Sequence, residues 1–347
     1  MNCFCRLFYI FILTVACMLP ANAQETFRVM CYNVENLFDT KHDTLKNDQE
    51  FLPGNMRGWN YKRYERKLAN ISRVVAAVSA WQWFPPAIIG LCEIENRHVL
   101  DDLTLFAPLG NFHYKIIHYE SPDRRGVDVA LLYQENRFRP IDTRPIRVTF
   151  PDNPARTTRD ILYASGRLEN GDTLHLFLTH FPSRLGGETL SEPSRIHAAK
   201  IIRHAVDSIQ AASSGTGILI MGDFNDYPDN ISIRQTLNAL PLPETGDTIS
   251  ENVLYNLCFR LHQQGRGSYK HDGEWGMLDQ IIVSGSLLRP SAGTRVMPQT
   301  LTVFSPEWLL EEDVPTGQRP FRTYIGMTYH GGFSDHLPLF IDLQVSD

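Results

Sequence analysis

Two stretches of this 347-residue chain follow one plan: an apolar strand, an amphipathic helix, then a second apolar strand ending in polar residues. In the first, Phe27–Tyr32 reads as a strand, and Tyr64, Leu68, Ile71, Val75 and Val78 recur at helical spacing through Tyr61–Ser79. Ala87–Glu93 is then apolar up to its final glutamate. In the second, Thr173–His180 is strand-like, and Ile196, Ala199, Ile202, Val206 and Ile209 share one face of a helix over Pro193–Ala212. Ile218–Met221 then runs into Gly222-Asp223-Phe224-Asn225. A helix of that length between two strands forms a right-handed crossover, so the strands of each unit are parallel and end at one edge. Asn33 and Glu93 are expected to emerge together, as are His180, Asp223 and Asn225.

Alternation along an extended chain puts Asp223 and Asn225 on one side, and Gly222 gives the backbone freedom for the bend. Between and after the two units lie further strands, at His113–His118, Val127–Tyr133, Arg144–Phe150, Ile161–Leu168, Met277–Val283 and Leu337–Leu343. The stretch Arg289–Thr323 is Pro-rich and gives no clear pattern. This order favours an α/β fold: a four-layer sandwich of two packed mixed β-sheets flanked by helices. The aromatic run Trp81–Phe84 precedes a strand, which puts it at the edge opposite the polar ends, packed under the sheet.

Residues 1–23 have the charge, apolar run and Ala21-Asn22-Ala23 site of a secretory signal peptide. The run is too short for a comfortable membrane span. Cleavage there leaves a single domain over 24–347 and an exported, periplasmic or extracellular protein; lipid anchoring at Cys17 is the weaker alternative. The 33 basic and 39 acidic side chains give a formal charge of −6, and loss of Arg6 with the leader makes it −7. That balance argues against a broad electrostatic grip on nucleic acid. Cys31, Cys92 and Cys258 remain, with neither metal-ligand nor disulfide spacing, and read as buried apolar groups. No protein partner is implied.

The polar strand ends are Asn33, Glu93, His180, Asp223, Asn225, Asp279, Asp335 and His336. Several hard oxygen donors with few nitrogens suit Mg²⁺, Mn²⁺ or Ca²⁺ better than zinc, and such ions commonly handle phosphate. Asp128 is embedded in the apolar strand Val127–Tyr133 and needs a partner; His180 on a neighbouring strand is the candidate. Arg124, Arg125 and Arg184 lie in turns and are candidate anion contacts. His113, His118 and His271 read as ordinary residues and His330 stays open. Glu35 and Asp39 read as solvated loop carboxylates.

In order, Tyr32-Asn33, Leu91-Cys-Glu93, Gly126-Val-Asp-Val-Ala130, Thr179-His180, Gly222-Asp-Phe-Asn225, Leu278-Asp-Gln-Ile281 and Ser334-Asp-His336 span almost the whole chain. This series resembles the endonuclease/exonuclease/phosphatase family, the metal-dependent group that includes deoxyribonuclease-type nucleases, AP endonucleases, neutral sphingomyelinases and inositol polyphosphate 5-phosphatases. The resemblance implies that Glu93 ligates the ion, with Asn33 nearby and Asp335 contributing directly or through water. It implies that His336, oriented by Asp279, and His180 face the phosphate. Asp223 would deprotonate the attacking water, and Asn225 would hold that water or the phosphate. Where the family usually has Gln before the metal glutamate, this chain has Cys92. The implied activity is a secreted metal-dependent phosphodiesterase acting on nucleic acid. The alternatives are a phosphomonoesterase, a phospholipid or inositol-phosphate esterase, and a non-catalytic phosphate-ligand-binding protein.

Overall fold

The computed structural model describes residues 26–80, 84–243 and 248–346. The expected signal peptide and Trp81 to Trp83 of the aromatic run lie outside them. The principal elements are β1 (Phe27–Leu37), α1 (Tyr61–Ala80), β2 (Ile88–Ile94), β3 (Lys115–His118), β4 (Asp128–Tyr133), β5 (Phe138–Ile146), β6 (Ile161–Leu168) and β7 (Thr173–His180). They continue as α2 (Glu188–Ala212), β8 (Gly217–Asp223), β9 (Ala239–Pro241), β10 (Leu254–Asn256), β11 (Asp279–Ser284), β12 (Thr294–Val303) and β13 (Leu339–Val345). One sheet has the order β12-β13-β1-β2-β4-β3 and the other β5-β6-β7-β8-β11-β10-β9. Both crossover units are parallel, β1 with β2 and β7 with β8.

Alternation explains the layering. Leu176 and Leu178 of β7 and Leu219 and Met221 of β8 join the core shared with Val29, Cys31 and Leu91, while Phe177, Ile218 and Ile220 turn outward under Ala198, Ile202 and Val206 of α2. On the far side, Ile71, Val74, Val75 and Val78 of α1 cover the first sheet. The result is the expected sandwich of helix, sheet, sheet and helix. The sheets approach closely at Gly90, where a Cβ would stand 2.7 Å from Leu178 Cδ1 and Met221 Cε. A buried pair, Arg28 to Asp342 at 2.7 and 2.8 Å, links β1 to β13, and Arg28 also donates to Val78 O of α1. Among the described residues no helix is long and apolar enough to cross a membrane.

Several boundaries differ from the sequence reading. The strand expected at Arg144–Phe150 is β5, at Phe138–Ile146, and the Pro-rich stretch after Arg289 contains the ten-residue β12. Both are outermost in their sheets, where Pro140, Pro145 and Pro298 cost no ladder hydrogen bond on the open side. Helix α2 starts at Glu188, so Pro193 lies in its second turn.

Candidate active site

The strand registers align three side chains in a row. His180 of β7 stands opposite Asp223 of β8, and Asp223 opposite Asp279 of β11. The row depends on Gly222, at φ 144°, because a Cβ there would meet Thr179 O at 1.9 Å. Above it the segment before β13 delivers His336, whose Nδ1 lies 2.6 Å from Asp279 Oδ2. That oxygen also accepts from Ser268 Oγ at 2.6 Å, and the Tyr269 ring packs on His336 at 4.8 Å. From the first sheet, Asn33 Nδ2 donates to Asp223 Oδ2 at 3.0 Å. His180 Nε2 and His336 Nε2 reach the same oxygen at 3.5 and 3.8 Å. Two sheets and a loop thus converge on one carboxylate, which is 2% exposed.

The electrostatics follow from that convergence. Burial pushes the Asp223 carboxyl up to about 6, aided by Asp279 and opposed by His336 and the hydrogen bonds from Asn225 and Asn33. Burial alone would depress His336, but Asp279 and Asp223 override it and hold its imidazole well above the ordinary range. His180 goes the other way: burial, then Arg159, Arg125 and His336, drive it well below.

Glu93 sits at a β-bulge. Cys92 pairs with Val129 and Ile94 with Asp128, so the glutamate between them is skipped, with φ 67°. Its Oε2 accepts from Asn36 N at 2.9 Å and its Oε1 lies 3.6 Å from Arg125. Burial would raise its pKa, but Arg125, His336 and Arg159 hold it below the usual range. Asp335 is raised, by burial and by the charge of Glu93 among others. Two carboxylates, one of which opposes the ionisation of the other, are a donor set that fits a hard divalent cation. Asn33 has one side of Oδ1 taken by Glu35 N at 3.0 Å and its amide turned to Asp223. Asp223, Asp279 and His336 also bring three ligand-type atoms within 4.8 Å of one another, but His336 Nδ1 is committed to Asp279.

Several expectations are corrected. Asp128 does not partner His180: its Oδ2 faces His118 Nε2 at 3.3 Å, and Ser121 N donates to its Oδ1 at 3.0 Å. The antiparallel pairing of β3 with β4 brings this histidine alongside, so His118 is a buried partner rather than an ordinary strand residue. Asn225 does not continue the alternation of β8. The strand ends at Asp223, Asn225 takes φ 49°, its N–H donates to Asp223 Oδ1 at 2.9 Å, and its amide turns to Phe181 O at 3.0 Å. Arg184 bonds Asn225 O at 2.7 Å and sits by Glu188, Asp226 and Asn230, a loop tie rather than a free guanidinium. Glu35 is buried: it accepts from Thr323 N and Tyr324 N, lies 3.7 Å from Lys67 Nζ, and burial pushes its carboxyl up to about 7. Asp39 is buried too, accepting from Lys41 N. Arg124 and Arg125 are exposed, the former donating to Ala155 O at 3.1 Å and the latter to Asn36 Oδ1 at 2.8 Å. His330 stands away from the row, 3.6 Å from Glu311.

The sequence reading missed Arg159, Lys67 and Tyr269. Arg159 donates to His180 O and Phe181 O and lies 3.3 Å from Asp123, tying down the segment after β7; no spacing signals it. Lys67 did carry a signal, being a cation on the apolar face between Tyr64 and Ile71. Among the described residues Cys31, Cys92 and Cys258 are free and buried, as expected.

Comparison with known proteins agrees with this architecture. A search of curated proteins gave no match. An endonuclease/exonuclease/phosphatase family protein from Bacteroides thetaiotaomicron superposes with a TM-score of 0.54 at 15% identity, covering 92% of this chain and 95% of that one. The human Nocturnin catalytic domain with bound sulfate gives 0.53 at 18% identity, covering 93% and 96%. A B. thetaiotaomicron mannosyl-6-phosphatase gives 0.54 at 15%, covering 91% and 99%. Residues 28–345 match the sequence profile of the Endonuclease/Exonuclease/phosphatase family. The chain therefore belongs to that family, whose members are phosphoric ester hydrolases, many of them metal-dependent.

Proposed function

We propose that the protein is an exported, divalent-metal-dependent phosphodiesterase that cleaves nucleic-acid diesters with a water deprotonated by Asp223. The observation that supports this reading is the convergence of Asn33, His180 and His336 on Asp223 Oδ2. A carboxyl raised to about 6 is still ionised at neutral pH, yet basic enough to take a water's proton. Asn33 fixes the orientation of that carboxylate. His336, held cationic by Asp279, donates to the phosphate oxygens and can return a proton to the leaving oxygen. His180, kept neutral, presents Nε2 beside the same oxygen without adding a competing positive charge. Glu93 and Asp335 would hold Mg²⁺, Mn²⁺ or Ca²⁺, which when bound neutralises charge on the phosphate. Asn225 shapes the loop through its backbone and side-chain amides.

Arg125, exposed and 3.6 Å from Glu93, adds an anion contact at the rim. A phosphomonoesterase is the second reading, supported by the mannosyl-6-phosphatase among the structural neighbours. The test is hydrolysis of bis-p-nitrophenyl phosphate, p-nitrophenyl phosphate and plasmid DNA by residues 24–347 with each metal or with chelator. Metal-dependent diester cleavage is expected, with Asp223→Ala lowering kcat by about a thousandfold. Cleavage of the monoester alone would favour the second reading. Diester cleavage undiminished in Asp223→Ala would remove that residue as the base. Export is tested by N-terminal sequencing of the secreted protein, expected to begin at Gln24.

A further inference from the structure

The β3–β4 hairpin gathers a second set of ligand-type side chains, outside the row around Asp223. His118 stands opposite Ala130 in the antiparallel register, and continuing that register by two residues sets Glu120 opposite Asp128. Alternation then puts all three side chains on one face. Their ligand-type atoms lie within 4.8 Å of one another, and His118 Nε2 is 3.3 Å from Asp128 Oδ2, with both of those side chains buried. Burial raises the Glu120 carboxyl, Asp128 raises it further and His118 opposes. Lys46, whose charge also bears on Glu120, spends its ammonium on the carbonyls of Ser121 and Asp123 at 2.7 and 3.0 Å. The other sheet supplies an independent sign. Asp160, just before β6, is 5% exposed. Arg147 Nε lies 3.1 Å from its Oδ1, yet among the described residues neither Asp160 oxygen makes a hydrogen bond. Asp160 and Asp128 line one cavity of about 10 Å³, room for a single water.

A buried histidine and a buried carboxylate can satisfy each other without an ion. That pairing leaves unexplained a second carboxylate set against the first and an orphaned third across a water-sized space. A cation with a bound water answers both. The spacing fits, since two ligands about 2.1 Å from a tetrahedral ion stand about 3.4 Å apart, close to the separation of His118 and Asp128. An imidazole nitrogen among carboxylate oxygens suits Zn²⁺ better than Mg²⁺ or Ca²⁺. We propose that His118, Glu120 and Asp128 form a Zn²⁺ site, with Asp160 holding the ion's bound water from the second sheet. The site is separate from Glu93 and Asp335 and does not depend on the phosphodiesterase reading. Asp128 Oδ1 also accepts from Ser121 N, so the ion pins the start of the turn that carries Arg125 and joins the two sheets beside it.

The test is Zn²⁺ titration of the purified, chelator-stripped protein by isothermal calorimetry. One equivalent should survive in Glu93→Gln/Asp335→Asn, and in the parent chain Glu120→Gln should remove one equivalent or weaken it at least about tenfold. Glu120 is exposed, so a folded variant is expected and is checked by its melting curve in chelator. Asp160→Asn should weaken the same equivalent about tenfold, the worth of an outer partner. Glu135→Gln, an exposed glutamate just after β4, should leave it unchanged. Zn²⁺ should raise the Tm of Glu93→Gln/Asp335→Asn, and the rise should vanish when Glu120→Gln is added. Absence of Zn²⁺ binding in folded Glu93→Gln/Asp335→Asn overturns the site. Binding that Glu120→Gln leaves untouched would mark adventitious coordination by surface histidines and overturn it, as would an equal loss in Glu135→Gln. Tighter binding of Mg²⁺ than of Zn²⁺ in the Glu93→Gln/Asp335→Asn chain would take His118 out of the ligand set and overturn it too.

Discussion

His180 and His336 stand on either side of one carboxylate oxygen, yet their surroundings give them opposite charge. His180 ends β7 and meets two guanidinium groups, Arg159 and Arg125. Among the described residues no hydrogen-bond partner reaches its Nδ1. His336 comes from the segment before β13 and is backed by Asp279, itself buttressed by Ser268. The same residue type in one buried centre thus yields a neutral imidazole and a cationic one, and what decides is the partner behind each ring. A centre built this way separates proton donation from neutral hydrogen bonding without needing two different side chains.

The sharpest break of that comparison is on the cationic side. Asp279→Asn removes the charge behind His336 but keeps its shape, so kcat should fall by about a hundredfold, close to the loss in His336→Gln. Adding His336→Gln to Asp279→Asn should cost little more, because the two act as one unit. His180→Gln should cost less than either and leave the response to Asp279→Asn intact. Additive losses in the His336/Asp279 pair, measured on bis-p-nitrophenyl phosphate, would show that Asp279 does not work through His336.

A smaller effect concerns carboxylates that burial raises, at the reaction centre and away from it. Glu35 is raised to about 7, Glu95 to about 8 and Asp223 to about 6, in each case by burial first. A group raised on folding adds stability that is complete below its unfolded value and fades as pH rises through the folded one. His180, depressed on folding, has the opposite sign and withdraws stability as pH falls through its unfolded range near 6.5. Glu35 and Glu95 titrate within this range and outweigh the one depressed imidazole, with His336, raised on folding, acting in the same direction as they do, so in chelator the Tm should be higher at pH 6 than at pH 8. Mg²⁺ should raise Tm more at pH 8, where the carboxylates are ionised and bind it best. A flat or reversed profile in differential scanning fluorimetry would mean that burial does not raise these carboxyls.

How much of this could be read without coordinates depended on which force fixed each residue. Both crossover units were legible because helical and strand periodicities record burial directly, and parallel pairing then forced His180 and Asp223 to one edge. The edge strands β5 and β12 were not legible, since prolines that would forbid a central strand are harmless on an open side. Asp128 needed a partner, as its apolar neighbours implied, but several histidines lay within reach of the topology, and only the β3–β4 register selects His118 over His180. Glu35 looked solvated because its loop is polar; what buries it is Lys67 from α1 and the backbone of Thr323 and Tyr324, nearly 300 residues away in sequence. Long-range satisfaction of a buried charge leaves little local trace in sequence.

The mildest expectation separates two kinds of arginine at the site. Arg124 and Arg125 are exposed, whereas Arg184 is half-buried and fully engaged, with Nε on Asn225 O, Nη1 on Glu188 and Nη2 near Asp226 and Asn230. Behind it Arg195, fully buried, already neutralises Asp226 at 2.7 Å, so losing Arg184 leaves no uncompensated buried charge. Arg184→Ala should therefore lower stability by about 1 kcal/mol, the net worth of its hydrogen bonds to the Asn225 loop. KM should stay within about threefold of the parent value, whereas loss of a charge-assisted phosphate contact costs more. Urea unfolding together with diester kinetics distinguishes the cases. A large rise in KM with unchanged stability would return Arg184 to the substrate-binding group and mean that its loop contacts give way when substrate binds.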